Sequence, residues 1–179
     1  MTAFDFSESM VGAYGEVVMA VVVAPLVKPG ERLPKAAMYP YRVATTTRAA
    51  REHAIERWHL PHWMDDVKVE WSRDKGRLTA KVEADGSPAL ELGITDHSWQ
   101  PVSHLYQSFQ KDDSGTYLAN ILFEGDKSEH EEEAGTIVLH DNSFNKDITI
   151  SEVYETPFRE LWMRNGCQLF DPLAQLEGK

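Results

Sequence analysis

VKVEWSRDKGRLTAKVEADGSPALELGI, residues Val67 to Ile94, decides the fold class. Val67, Val69 and Trp71 alternate with Lys68 and Glu70, and Leu78, Ala80 and Val82 alternate with Thr79, Lys81 and Glu83. Leu90, Leu92 and Ile94 repeat the pattern. A period of two puts apolar side chains on one face of a pleated strand and polar ones on the other. Asp74-Lys75-Gly76 and Asp85-Gly86-Ser87-Pro88 supply turn residues between the runs. The stretch predicts an antiparallel meander of three strands.

Upstream, Tyr14 to Ala24 (YGEVVMAVVVA) is rich in β-branched residues and ends at Pro25, the composition of a strand buried on both faces. Glu16 is its one charged exception. Val27 to Pro40 holds Pro29-Gly30, Pro34 and Pro40 and is predicted to be a loop. One of Thr45, Thr46 and Thr47 caps a helix running to about Trp58, with Ala50, Ala54 and Trp58 on one face and Ile55 beside them. Pro61 ends that helix, because a proline displaces its predecessor from helical geometry. His62 and Trp63 then fall on the exit loop.

Downstream, Tyr117–Glu124, Thr136–His140, Ile148–Val153 and Gln168–Phe170 read as strands, and Phe158–Met163 as a short helix. The acidic run Glu129 to Glu133 reads as a solvated loop, since like charges resist burial. Many short strands with one principal helix predict an α+β chain, predominantly β. Its core is a curved antiparallel sheet or β-barrel whose inward residues enclose a core or a ligand cavity. The length, 179 residues, predicts a single domain over 1–179.

A net charge of −11 repels phosphate backbones and anionic lipid heads, so neither nucleic acid nor a membrane surface is an expected partner. Val17–Val27, the most apolar segment, is far shorter than the roughly 20 residues of a spanning helix. No Lys or Arg stands between Met1 and Glu16 to begin a signal peptide. The single cysteine, Cys167, excludes an internal disulfide, and a cytoplasmic setting is expected. No Gly-rich phosphate loop and no G-x-S-x-G elbow occurs, which removes nucleotide and serine-hydrolase readings.

The helix and its exit, R-E-H-A-I-E-R-W-H-L-P-H-W, followed by V-K-V-E-W, a turn and L-T-A-K-V-E, resembles the corresponding segment of the acetoacetate decarboxylase family. Glu56, Trp58, Leu60 and Pro61 match or nearly match its pattern. Tyr14-Gly15-Glu16 is similar to the family's Tyr-x-Glu strand, and Gln168-Leu169-Phe170 to its closing strand. The resemblance implies the family's fold and a cavity lined by Glu16. It also marks two departures. His62 and Trp63 stand where the family has paired lysines, and an imidazole forms no imine; nor is there a neighbouring cation to activate a lysine. The family's longer N-terminal region, with its cavity arginine, has no counterpart before Phe4.

Glu16 lies in an apolar strand, where desolvation raises a carboxyl pKa toward neutrality and suits it to acid–base work; the alternative is an exposed residue at the strand's start. His62 has an ordinary pKa of about 6.5 and is the second acid–base candidate, the alternative being a loop side chain filling space. Tyr14 and Trp63 are the expected walls of an apolar substrate pocket, while Trp58 is expected in the core. His59, His62, Asp65 and Asp66 make a weak metal motif, because Pro61 breaks the helical spacing that would converge the histidines. The expected activity is therefore cofactor-independent and metal-free acid–base chemistry on a small carbonyl or polyketide-like ligand, a lyase or cyclase type of reaction. The alternative is a non-catalytic binding or accessory protein with the same cavity. Self-association into a homo-oligomer is left open.

Overall fold

The computed structural model describes residues 1–176. Its strands are β1 (Thr2–Phe6), β2 (Tyr14–Val23), β3 (Ala36–Thr45), β4 (Val67–Asp74), β5 (Arg77–Ala84) and β6 (Ser87–Thr95). They continue as β7 (Trp99–Asp112), β8 (Gly115–His130), β9 (Thr136–Leu139), β10 (Glu160–Phe170) and β11 (Ala174–Leu176). The helix α1 (Arg48–Trp58) follows β3. Local packing groups the chain into two compact units. One comprises Met1–Trp63, Pro101–Gly125 and the chain from Asn165; the other comprises Met64–Gln100 and Asp126–Arg164.

The second unit contains the alternating stretch as predicted: β4, β5 and β6 form an antiparallel meander, and β9 adds to β6. Both tight turns place their central residues at positive φ, Lys75-Gly76 and Asp85-Gly86, the geometry that matches strand twist in two-residue hairpins. Ala80, Val82, Ala84, Leu90 and Leu92 are buried. Glu160 on β10 is 2% exposed and accepts from Thr95 N (2.7 Å), Thr95 Oγ1 (2.9 Å), Ala134 N (2.9 Å) and Gly135 N (2.7 Å). Burial alone raises its pKa, but these donors outweigh burial and leave the carboxyl below its usual value. A ladder of cations on aromatic rings accompanies it: Arg164 over Trp99 at 4.0 Å, Trp99 edge-on to Trp162, and Arg73 over Trp162 at 4.8 Å.

In the first unit, β1, β2 and β3 are antiparallel neighbours, and β3 pairs in parallel with β7 through Ala36–Met38 and Tyr106–Ser108. The sheet order runs β1-β2-β3-β7-β8-β10, with β11 beside β8. On a flat sheet β1 and β8 would lie about 19 Å apart, four steps of strand spacing. Yet the rings of Phe4 on β1 and Phe123 on β8 are 6.2 Å apart. The sheet is therefore rolled, with the face that carries Phe4 turned inward. This is the curved sheet that the strand pattern predicts.

Several expectations need correction. Residues 27–40 are not all loop, because β3 starts at Ala36 and includes Pro40. The pairing slips between Met19 and Ala20, skipping Tyr41, and a bulge of this kind tolerates a proline's missing donor. Phe158–Met163 is not helical: from Glu160 it is β10. Ile148–Val153 is not a strand but holds a 3-10 turn at Ile150–Glu152. The acidic run begins inside β8, where Glu129 holds the buried Lys127 Nζ at 2.5 Å. Finally, β2 is sealed on one face only, and Val21 and Val22 at its end are exposed.

Candidate active site

Alternation along β2 sorts its residues. Gly15, Val17 and Met19 are buried on the outer side of the roll, while Tyr14, Glu16, Val18 and Ala20 project to the inner face and are only part-buried. Glu16 is paired with Phe4 on one side and Thr45 on the other. Cross-strand partners share a face with Cβ atoms about 5 Å apart, so both flank its carboxyl. Glu16 itself is part-buried. Among the described residues its carboxyl has no hydrogen bond or ion pair. Burial raises its pKa from 4.5 to about 7.

Tyr14 shares this face, and burial, followed by the Glu16 charge, raises the pKa of its phenol. An aromatic lining continues from it: Phe6 lies 4.9 Å from Tyr14, Phe4 stacks on Phe6 at 5.4 Å, and Phe123 meets Tyr106 at 5.0 Å. The lysines of this unit within the described residues, Lys28, Lys35 and Lys111, are exposed.

His62 reaches the same face by a different route. Thr47 caps α1, its side chain accepting from Ala50 N, and Ala50 and Ala54 are the helix's buried residues. The helix ends at His59, a left-handed residue whose N–H donates to Ile55 O. The exit segment then runs beside β3: Val43 N donates to Pro61 O at 3.0 Å and Trp63 N to Val43 O at 2.7 Å, a parallel bridge that pairs His62 with Val43. His62 thus faces inward with Val43 and Thr45. Its Nδ1 bonds to Trp63 O, so Nδ1 carries the proton, and Nε2 lies 3.0 Å from Thr45 Oγ1, placed to accept from that hydroxyl. Burial and the nearby Arg51 charge lower the His62 pKa, with the Trp63 carbonyl opposing them.

Trp63, next along the extended segment, projects to the other side. Its ring lies under the guanidinium of buried Arg42 at 5.4 Å, and Arg42 is paired with Met19 on the outer face of β2. The structure therefore brings Glu16, His62 and Tyr14 to one face and leaves Trp63 off it. His59 does not join them: its Nδ1 binds Asp112 at 2.5 Å and its ring stacks on Tyr117 at 4.1 Å. Bonds from Ser114, then His59, lower the Asp112 pKa from 3.8 to about 2. Asp112 sits between Ser114 and His59, so the three are not arranged as a nucleophile–base relay, in which the imidazole must be central. Among the described residues no three His, Cys, Asp or Glu side chains converge as metal ligands.

The residues missed from sequence are Thr45, Phe4, Phe6, Tyr106 and Phe123. Only Phe4-Asp5-Phe6, with its period of two ahead of Tyr14, carries a sequence signal that points to this face.

No protein-family model matches the chain, and no curated protein matches it. Solved structures do. An acetoacetate decarboxylase from Legionella pneumophila superposes with a TM-score of 0.55 at 14% identity, covering 93% of this chain and 71% of that one. An acetoacetate decarboxylase-like enzyme from Sphingomonas wittichii gives 0.52 at 11% identity, over 94% of this chain and 71% of that one. The enduracididine biosynthesis enzyme MppR, complexed with the condensation product of pyruvate and imidazole 4-carboxaldehyde, gives 0.51 at 10%, over 89% of this chain and 62% of that enzyme. The fold is that of the acetoacetate decarboxylase-like enzymes.

Proposed function

We propose that this chain is a cofactor-independent acid–base enzyme acting on a small carbonyl or polyketide-like ligand, without a lysine imine. The observation that carries the proposal is the Glu16 carboxyl: unpartnered among the described residues, on an aromatic-lined inner face, with a pKa raised to about 7. A carboxyl titrating there is divided between acid and base at neutral pH, the condition for donating a proton to a carbonyl or removing one beside it. Tyr14 and the phenylalanines supply the apolar wall. His62, with both ring nitrogens engaged, acts through Thr45, the register partner of Glu16, by fixing its hydroxyl. The fold likeness to MppR, whose bound ligand is a pyruvate condensation product, agrees with a carbonyl ligand. Aldol-type cyclisation and dehydration begin by removing a proton beside the carbonyl, and decarboxylation is assisted by a proton donated to the carbonyl oxygen as the C–C bond to CO2 breaks.

The second reading, an accessory binding protein, is favoured by the occupied nitrogens of His62, which leave Glu16 without a free partner base. Deuterium uptake from D2O at the methyl group of acetophenone separates the two. The enzyme reading expects uptake with the wild type and at least about 100-fold slower uptake with Glu16→Gln. Equal rates with ligand binding retained would make the chain a binder. Borohydride reduction of the protein–ketone mixture is expected to leave no adduct, and a stable adduct on any lysine would overturn the imine-free mechanism.

A further inference from the structure

Gln110 on β7 is 2% exposed, and its side-chain Nε2 donates to Ser108 Oγ at 2.8 Å. Its Oε1 is buried with no hydrogen-bond partner. An amide oxygen left unpaired away from water costs about 1–3 kcal/mol. Such groups are few in folded proteins, and each calls for a specific reason, a functional role among them.

The position of this pair is fixed by the strand period. Tyr106, Ser108 and Gln110 alternate onto one face of β7, and Tyr106 packs on Phe123, which meets Phe4, the register partner of Glu16. Ser108 is aligned with Met38 in the parallel pairing with β3. Gln110 follows two residues further along the same face of β7. Tyr106, the first residue of this face, is only part-buried, whereas Ser108 and Gln110 are buried.

We infer that Gln110, held by Ser108, is the specificity determinant of this face and recognises a hydroxyl group on a planar, aromatic or conjugated carbonyl ligand. The inference rests on the proposed role of the face as the ligand site, and it narrows the ligand to hydroxy-carbonyl compounds. A hydroxyl suits the position because it donates to Oε1, and it also accepts if the amide turns over against Ser108. The aromatic lining takes the flat apolar body, which leaves the carbonyl end for Glu16.

Calorimetric titration of the whole chain with 4-hydroxyacetophenone and with acetophenone tests this, because the two ketones differ by one hydroxyl. The wild type is expected to bind the hydroxylated ketone about tenfold more tightly, the effect of one good hydrogen bond. Gln110→Met, of similar shape, is expected to bring the ratio near one while retaining acetophenone binding. Ser108→Ala, which releases the amide, is expected to reduce the ratio and decides the matter if the Gln110 variant does not fold. Wild type without a preference, no binding of either ketone, or a preference unchanged in the folded variants would each overturn the assignment. Affinity ratios are read without turnover, so loss of deuterium uptake with the ratio intact would refute the enzyme reading and spare this one.

Discussion

Glu16 on β2 and Thr45 on β3 stand directly opposite each other in register, and the Thr45 hydroxyl lies 3.0 Å from Nε2 of His62. A strand carboxyl and a loop imidazole 46 positions apart are thereby joined through one buried threonine. Thr45→Val keeps the side-chain shape and removes the donor. A hydrogen bond to the lone pair of neutral imidazole favours the neutral ring, so its loss is expected to raise the His62 pKa toward its ordinary value. Proton NMR titration of the imidazoles checks this, together with a stability loss of about 1 kcal/mol in urea unfolding.

Glu16 makes stability depend on pH with a definite sign. Its folded pKa, about 7, exceeds its ordinary 4.5, so the folded state binds the proton more tightly than the unfolded chain does. The associated stabilisation is fully present below about pH 4.5 and is lost as pH rises through about 7. Glu16→Gln abolishes that loss. Relative to the wild type, the variant is expected to gain on the order of 3 kcal/mol between pH 4.5 and pH 8. Urea unfolding at the two pH values measures the difference.

Asp112 runs the other way. Its carboxyl, lowered from 3.8 to about 2 by Ser114 and His59, contributes stability that is present above pH 3.8 and lost as pH falls through about 2. Asp112→Ala is expected to remove that part of the acid transition and to loosen the left-handed end of α1 at His59. Thermal melts from pH 5 to pH 2, with amide exchange at Leu60 N, which bonds to Ala54 O, report both effects.

In the second unit, Gly135 donates to the Glu160 carboxylate, and a Cβ added there would lie 2.7 Å from Glu160 Cδ and 2.7 Å from Gly93 O. The backbone oxygen cannot move aside without breaking β6. Gly135→Ala is expected to destabilise by roughly 2 kcal/mol or more, measured by chemical unfolding.

What the sequence makes legible follows from how local each signal is. The meander from Val67 to Ile94 is written in a period of two with turn residues at both breaks, and α1 in its threonine cap and two buried alanines. Pro40 hides β3, since a proline argues against a strand unless a bulge relieves it, and the bulge depends on the partner strand. Polar residues hide β7, whose Ser108 and Gln110 face the inside of the roll. Glu16 is legible because a charge in an apolar strand calls for an explanation. Thr45 is not, because it meets Glu16 only through the β2–β3 register, and Phe123 and Gln110 are not, because they come round to it only when the sheet curls. Trp63 is adjacent to His62 in sequence but opposite in space, which the alternation of an extended segment dictates once the Val43 bridge is formed.

The central claim is the ionisation of Glu16 on the inner face, and the most direct measurement is a carbon-13 NMR titration of the glutamate side-chain carboxyls, with the Glu16 resonance assigned by its absence in Glu16→Gln. A midpoint near 7 is expected, moving on addition of 4-hydroxyacetophenone as the ketone meets the carboxyl. A midpoint near the ordinary 4.5, insensitive to ketone, would contradict the account.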